Sequence, residues 1–258
     1  MFHMDLNTLY REMPKLRERL IWLPETTSTL DAVKEQLRNG NFDAVVIAGR
    51  QTGGRGRLGR AFYSPPGDGL YLSIALRPLP CCVAIPPTVL FAAAAARAVG
   101  SVTGRTVQIK WVNDLILDGF KISGILLEGG AAGIASGIGV NVNTPRERFL
   151  PDLPNANSLA AICGRRFSLE EVALALIREV TLAWDGCQTA EDGARELDFY
   201  RSRLVTLGRK VRVIDSAGER AGEAVGLDPD AALLVDFGNG PERVIVGDVS
   251  VRGENGYL

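Results

Sequence analysis

The pattern of apolar and polar positions along the chain predicts three helices. Residues 30–40 follow threonine and serine residues suited to an N-cap, and they end at an asparagine and a glycine. Residues 88–99 are rich in alanine and follow two prolines, which favour the start of a helix. Over residues 168–184, apolar residues recur every three or four positions behind a serine and a glutamate at capping-box spacing. We expect this last segment to be a long amphipathic helix packed against a sheet.

Shorter apolar runs predict the strands of that sheet. Residues 43–49 indicate a buried strand that enters a glycine-rich loop, and residues 69–78 alternate like the strand that leaves it. Residues 106–129 predict a strand, a turn and a hairpin closed by Asp118 and Gly119, a pair typical of two-residue turns. Residues 134–143 predict a further strand. Because helices and strands do not alternate strictly, we expect an α+β fold with a mixed, largely antiparallel sheet.

The pattern changes near residue 204, beyond which short strands and tight turns follow one another closely. Such a series predicts a small antiparallel barrel of the SH3 kind. We therefore predict two domains. The first spans residues 1–204, of which residues 1–24 form a short N-terminal extension, and the second spans residues 205–258.

Composition excludes several classes of function. The chain has 258 residues, and its 29 Lys and Arg against 30 Asp and Glu leave a net charge of -1, so no global positive field attracts a polyanion. The only histidine is His3, near the N-terminus, which argues against a Ser-His-Asp triad and a histidine-bound metal. The four cysteines contain no C-x-x-C motif, and we expect reduced thiols. No signal peptide or membrane-spanning run is visible, so we expect a cytoplasmic protein that does not bind membranes.

A glycine-rich loop, GGRGRLGR at residues 53–60, contains the G-x-G-x-x-G spacing together with three arginines. It could form a dinucleotide-binding turn, an RNA contact, a loop that wraps a phosphate, or a solvated surface hairpin. A dinucleotide turn needs a helix directly behind it, and Pro65 and Pro66 disfavour one there. The loop alone does not decide among the remaining interpretations.

A second polar cluster lies farther along the chain and could face the glycine loop across one cleft. Its lysines could equally lie on the solvent-facing side of an ordinary strand. The cluster comprises Lys110, Trp111, Asn113, Asp114, Lys121 and Gly124.

Together these segments resemble the biotin protein ligase family. The resemblance rests on TTSTLDAV, QTGGRGRLGR, KWVNDL, KISGILLE and GIGVNVN, in this order, and on the small C-terminal barrel. It implies a catalytic domain similar to class II aminoacyl-tRNA synthetases and lipoate ligases. It also implies an ATP-dependent ligase that converts biotin to biotinoyl-5'-AMP, with magnesium, and transfers the biotinoyl group to a lysine of a biotin carboxyl carrier protein. A lipoate or octanoate ligase and a non-catalytic regulator that binds the adenylate are the alternatives.

The resemblance also implies roles for individual residues, and it leaves the metal ligands unknown. The catalytic residues would be Arg57, Lys121 and Asp114. Biotin would be bound by Ser28, Thr29, Gln51, Arg55, Gly56, Arg57 and Lys121, and ATP by Arg57, Arg60, Phe62, Asn113, Lys121 and Asn141. The cations suit the chemistry independently, because joining a carboxylate to a phosphate brings two anions together.

Three positions depart from the family pattern. Val112 stands where proline is common, Phe62 where tryptophan is frequent, and Leu30 where a polar residue is usual. We expect Val112 to keep an extended backbone, and Phe62 to keep an aromatic face without the indole donor.

Some members of the family carry an N-terminal DNA-binding domain. Here about twenty-five residues precede the TTSTLDAV segment, and they support at most one short helix, interrupted at Pro14. We expect this helix to pack on the sheet, and we expect a monofunctional ligase that does not bind DNA. The sequence leaves open whether the chain forms a homodimer.

Overall fold

The structure, a computed structural model, describes residues 4–83, 85–215, 218–245 and 250–253. His3 and the segments 216–217, 246–249 and 254–258 lie outside the described residues. Within the described ranges, none of the helices combines the length and the apolar character needed to cross a bilayer.

A seven-stranded mixed sheet forms the centre of the larger unit, in the order β1-β2-β3-β7-β6-β5-β4. Strands β1 and β2 pair in parallel, and every other neighbouring pair is antiparallel, which confirms the predicted sheet type. The strands are β1 Leu20–Leu23, β2 Val45–Ala48, β3 Gly69–Leu76, β4 Gln108–Lys110, β5 Asp114–Leu117, β6 Phe120–Gly130 and β7 Gly133–Asn141.

Helices cover both faces of this sheet. The α-helices are α1 Leu6–Glu12, α2 Thr29–Arg38, α3 Pro87–Thr103, α4 Leu159–Cys163, α5 Leu169–Gly186 and α6 Ala190–Arg203. Leu30, Val33 and Leu37 of α2 pack on one face, against Val46, Ala75 and Ala135. The main core lies on the other face, where the alternate residues Val45 and Ile47 belong to one buried cluster with residues of α3 and α5. Small alanine side chains in α3 allow its close approach to its neighbours.

The predicted helices agree with α2, α3 and α5. Two predictions of what a helix packs against need correction. Helix α5 packs mainly against α3 and less against β3, so it forms an outer layer. Helix α1 packs against α5 rather than mainly on the sheet, and a 3-10 turn, Pro14–Glu18, follows it at the predicted interruption. Ser168 caps α5 by accepting the Glu171 amide. Strand β1 and helices α4 and α6 were not predicted.

The C-terminal unit is a five-stranded antiparallel sheet in the order β11-β10-β9-β8-β12. Its strands are β8 Lys210–Asp215, β9 Gly218–Leu227, β10 Leu233–Asp236, β11 Pro241–Val244 and β12 Ser250–Gly253. It is joined to the large sheet beside β4, where Ile109 and Leu204 form a parallel bridge. The short strand β4 therefore lies between the two units.

Candidate active site

A cavity of about 570 Å³ opens above β6 and β7, between the glycine loop and the turn that joins β4 to β5. Its wall contains both polar clusters that the sequence singled out, so they do face one another across a cleft. The lining residues predicted from sequence are Ser28, Thr29, Gln51, Arg55, Gly56, Arg57, Arg60, Phe62, Asn113, Asp114 and Lys121.

One end of the cavity is polar and uncharged. The side-chain oxygen of Gln51 accepts hydrogen bonds from the Thr29 amide at 2.9 Å and from the Thr29 hydroxyl at 3.1 Å. The Gln51 amide nitrogen donates to Ser64 at 3.0 Å, and Ser73 donates to Thr29 at 2.8 Å. This chain of hydrogen bonds fixes the donor and acceptor directions at that end. Ser28 lies beside Thr29. Its side chain accepts a hydrogen bond from the Leu30 amide and so caps the N-terminus of α2.

The glycine loop bends tightly over the cavity. A Cβ atom at Gly54 would lie 2.7 Å from the Phe62 carbonyl oxygen, so this position accommodates only glycine without movement. Leu58 and Gly59 both adopt positive φ, at 56° and 69°, and the Gly56 amide donates to the Arg60 carbonyl at 2.7 Å. These features turn the loop back on itself and direct its arginines toward the cavity.

The arginines of the loop occupy different surroundings. Arg55 makes two contacts with Asp31 of α2, at 3.0 and 2.6 Å, and this bonding raises the pKa of its guanidinium. Arg57 lies deeper, and burial lowers its pKa despite the nearby Asp114 carboxylate. A cation held away from water interacts more strongly with a bound anion than one in bulk solvent.

Three side chains converge from the strands opposite the loop. The Lys121 ammonium lies 2.7 Å from an Asp114 oxygen, and both side chains are largely buried. Lys110 is 5% exposed and also lines the cavity, so the interpretation of a solvent-facing strand lysine is wrong for it. Burial lowers the pKa of Lys110 to about 7, against the opposing effect of Asp114.

Phe62 lies against the backbone of two strands at the cavity floor. A Cβ atom at Gly139 would come within 2.4 Å of its ring, and one at Gly124 within 3.3 Å. The two glycines therefore make room for the ring of Phe62, whose role in ATP binding stays a prediction.

The two predicted asparagines lie in different environments. Asn113 lines the cavity, and its side chain donates to the Ile125 carbonyl at 2.6 Å. Asn141 is buried and donates to the Asn157 carbonyl at 3.1 Å, but it is not among the lining residues. Its role in ATP binding stays a prediction.

Sequence and structure comparisons identify relatives that match most of the chain. Residues 22–144 match the Biotin/lipoate A/B protein ligase family, and residues 206–252 match the Biotin protein ligase C terminal domain. The Biotin--[acetyl-CoA-carboxylase] ligase of Mycobacterium tuberculosis is 30% identical over 238 residues, covering 87% of this chain and 86% of the relative. The chain belongs to the biotin protein ligase family.

Other members of the biotin protein ligase family agree with this assignment. The Bifunctional ligase/repressor BirA of Bacillus subtilis is 28% identical over 236 residues, which cover 88% of this chain and 72% of the relative. A structure described as Biotin protein ligase from Aquifex aeolicus in complex with biotin and ATP superposes with a TM-score of 0.81 at 28% identity. It covers 92% of this chain and 99% of that one. The predicted α+β class and biotin–lipoate ligase fold are confirmed.

The cavity also contains residues that the biotin protein ligase motifs did not indicate. A loop at residues 152–156 closes one side, fixed where the Lys121 amide donates to the Asn155 carbonyl at 2.8 Å. Val251 and Arg252 reach the cavity from the C-terminal sheet. Tertiary contacts bring the loop and these two residues to the site, so no local pattern marked them. Within the quoted motifs, Ile125, Leu126 and Ile138 supply apolar surface.

The backbone at Val112 differs from the extended conformation expected for it. Residues 111–113 form a turn, the peptide bond between Trp111 and Val112 is cis, and Val112 is fully buried.

Proposed function

We infer that this chain is an ATP-dependent biotin protein ligase. Biotin and ATP would form biotinoyl-5'-AMP and pyrophosphate, and the biotinoyl group would then pass to a lysine of a biotin carboxyl carrier protein or domain. Membership of the family supports this inference. So does the similarity to the Aquifex aeolicus ligase, whose structure contains biotin and ATP.

The observation that carries the inference is the polarity of the cavity. Its uncharged end, at Thr29 and Gln51, suits a neutral ring that both donates and accepts hydrogen bonds. Its other end is lined by the cationic side chains of Arg57, Arg60, Lys110, Lys121 and Arg252. A molecule with a neutral polar head and a carboxylate tail would therefore place its carboxylate among these cations.

We propose that these cations catalyse the first step by holding two anions together. The biotin carboxylate oxygen attacks the α-phosphorus of ATP, a new oxygen–phosphorus bond forms, and pyrophosphate leaves with the bonding electron pair. Lys121 and Arg57 would neutralise the charge shared by the carboxylate and the phosphate. Asp114 would orient the Lys121 ammonium, which lies 2.7 Å from one of its oxygens.

In the second step, the amine of the carrier lysine attacks the acyl carbon of the adenylate. An amide bond forms, the bond between the acyl carbon and the phosphate oxygen breaks, and AMP leaves while the amine loses a proton. The loop that carries Arg55, Gly56 and Arg57 would limit the access of water, which competes with the amine.

Magnesium would accompany the nucleotide and neutralise the leaving pyrophosphate. Magnesium is usually held by phosphate oxygens and water with only one or two protein carboxylates, so a large cluster of protein ligands is not required. Asp114 and Asp152 both line the cavity, and Asp114 contacts Lys121. These two are the carboxylates among the residues that line the cavity.

We also propose which residues bind each substrate, where the catalytic unit ends and where in the cell the protein is located. Ser28, Thr29, Gln51, Arg55, Gly56, Arg57 and Lys121 would bind biotin, and Arg57, Arg60, Phe62, Asn113, Lys121 and Asn141 would bind ATP. The catalytic unit would end near Leu204, where the chain passes to the C-terminal sheet. We propose a cytoplasmic location, consistent with free thiols at Cys81, Cys82, Cys163 and Cys187.

Exchange between labelled pyrophosphate and ATP tests the inference. We expect exchange that depends on biotin and is not supported by lipoate or octanoate at equal concentration. Exchange supported by lipoate but not by biotin would establish the alternative ligase. Binding of biotin and ATP without exchange would establish a non-catalytic regulator, and subsequent labelling of a carrier domain tests the transfer step.

A further inference from the structure

The turn at residues 111–113 joins β4 to β5. The turn and the residues next to it line the cavity opposite the glycine loop. Lys110 immediately precedes the turn, Asn113 belongs to it, and Asp114 follows it. The ladder between β4 and β5 ends at the Lys110–Asp114 pair, so this ladder does not extend into the turn. Asp114 also pairs with Gly124 of β6, and Asn113 is bonded to Ile125, so residues 111 and 112 are the part of this segment that needs other partners.

Hydrogen bonds from distant segments fix both residues. The Trp111 amide donates to the Thr206 hydroxyl at 3.0 Å, and the Tyr200 hydroxyl donates to the Val112 carbonyl at 3.1 Å. The Trp111 indole donates to the Ala231 carbonyl at 3.2 Å. All three contacts are buried, with Tyr200 fully inaccessible and Thr206 5% exposed. We call Tyr200 and Thr206 the turn clamp.

Buried contacts of this kind determine a backbone conformation. A backbone amide or carbonyl that loses its partner inside the protein remains unsatisfied, and the chain relaxes to find another. The clamp is also rigidly placed, because Tyr200 belongs to α6 and the Val205 amide next to Thr206 donates to the Ile109 carbonyl at 2.9 Å. The Tyr200 hydroxyl lies close enough to Arg57 and Asp114 to interact with them electrostatically.

We propose that Tyr200 and Thr206 are positioning residues for adenylate formation. They act through the 111–113 turn and hold Lys110 and Asn113 in the geometry that receives the nucleotide. This proposal rests on the proposed function. Loss of the clamp should affect ATP and not biotin. The uncharged end of the cavity is fixed by hydrogen bonds among Thr29, Gln51 and Ser64, and these bonds do not involve the clamp.

Thr206→Val and Thr206→Ser form a matched pair of variants. Valine keeps the shape of threonine and removes the acceptor for the Trp111 amide, whereas serine keeps the hydroxyl. Tyr200→Phe removes only the donor to the Val112 carbonyl. Trp184→Phe serves as the control, because it removes a buried ring donor to the Arg77 carbonyl at 3.2 Å, away from the cavity.

Biotin-dependent pyrophosphate exchange, measured against both ATP and biotin, gives the readout. For Thr206→Val and Tyr200→Phe we expect kcat/KM for ATP to fall on the order of tenfold, since misplacement of reacting groups by less than an ångström has effects of this size. The KM for biotin should stay within about twofold of the unaltered protein, as expected of a side chain outside the biotin contacts. Thr206→Ser should restore the ATP parameters, and Trp184→Phe should lower Tm without lowering them.

The possible outcomes distinguish failure of the positioning role from failure of the proposed function. Equal exchange by Thr206→Val and Thr206→Ser, or parallel changes in the biotin and ATP parameters, would overturn the positioning role. Loss of exchange in Trp184→Phe, in proportion to its loss of Tm, would also overturn it by showing a general effect of stability. Absence of exchange in the unaltered chain would instead overturn the proposed function on which the role rests.

Discussion

At the scale of single residues, Lys121 provides the sharpest test of the proposed chemistry. Its ammonium lies in the cavity 2.7 Å from Asp114, where it can contact a carboxylate and a phosphate at the same time. We expect Lys121→Ala to lower biotin-dependent pyrophosphate exchange roughly a hundredfold to a thousandfold, the usual cost of losing one preorganised stabiliser.

A second lysine supplies the control for this substitution. Lys34 of α2 forms an ion pair with Glu128 outside the cavity, and both side chains are partly exposed. Lys34→Ala removes the same groups and should leave exchange near normal, because partly exposed pairs contribute little. If Lys121→Ala also retained near-normal exchange, its proposed role would be wrong.

Lys110 makes the affinity for an anionic ligand depend on pH. Its folded-state pKa is about 7, below the ordinary lysine value of 10.5, because it is buried and lies near Arg252, Lys121 and Arg60, an effect that Asp114 opposes. A bound phosphate favours the protonated amine and raises this pKa, so binding takes up a proton. Affinity should therefore be greatest below the pKa of the ligand-free protein and fall as the pH rises through it.

Calorimetry with an adenylate analogue that carries one phosphodiester charge measures this dependence. From about pH 6 to about pH 9 we expect the affinity to fall by at most about tenfold per pH unit, the limit for one linked proton. Lys110→Met should remove the decline above neutral pH. An unchanged pH profile in that variant would assign the dependence to another group.

At the scale of elements, the glycine loop is expected to change its accessibility when ligands bind. Its backbone is held by a few contacts, chiefly between Gly56 and Arg60 and between Gly54 and Phe62, and the charges of Arg57 and Arg60 are close enough to repel each other. We expect biotin with ATP to slow tryptic cleavage after Arg57 and Arg60. Cleavage after Arg166, an exposed arginine away from the cavity, serves as the internal reference. Equal rates with and without ligands would show that the loop does not close over them.

Elements with local signals were predicted well from the sequence. The Asp118–Gly119 turn closes the hairpin between β5 and β6 with both residues at positive φ, as that pair of residues favours. Helix α6 also has a local signal, a capping box at Thr189 and Asp192, which we overlooked. Strand β1 has only four residues and forms by pairing in parallel with β2, so its own pattern does not reveal it.

Local sequence signals also determined which parts of the site could be predicted. The glycine loop and the 110–114 cluster were recognisable because each is continuous in sequence. The 152–156 loop and Arg252 reach the cavity only through the packing of the folded chain, and the burial of Lys110 depends on neighbours from several elements. Sequence patterns carry little information on such contacts.

At the scale of the whole molecule, the distribution of charge argues against DNA binding by this polypeptide. Helix α1 packs against α5, and in this segment Arg11 pairs with Glu12 and Arg19 with Asp43, so basic residues here lie beside acidic ones. The whole chain has a net charge of -1. We expect no specific shift of promoter DNA from the source organism's biotin genes, at physiological salt, with or without the adenylate. A specific shift at submicromolar protein that requires the adenylate would contradict this expectation.

The hydrogen bond from the Trp111 indole to the Ala231 carbonyl joins residues 120 positions apart. A ribosome makes the chain from its N-terminus, so residues 111–113 leave the exit tunnel long before residue 231 does. The nascent polypeptide can already contain the glycine loop and the strands beneath it. At that stage the 111–113 turn still lacks the hydrogen bond from Trp111 to Ala231. The last contact of this turn, and with it the final form of this side of the cavity, is thus a late event of synthesis that follows the emergence of the C-terminal sheet.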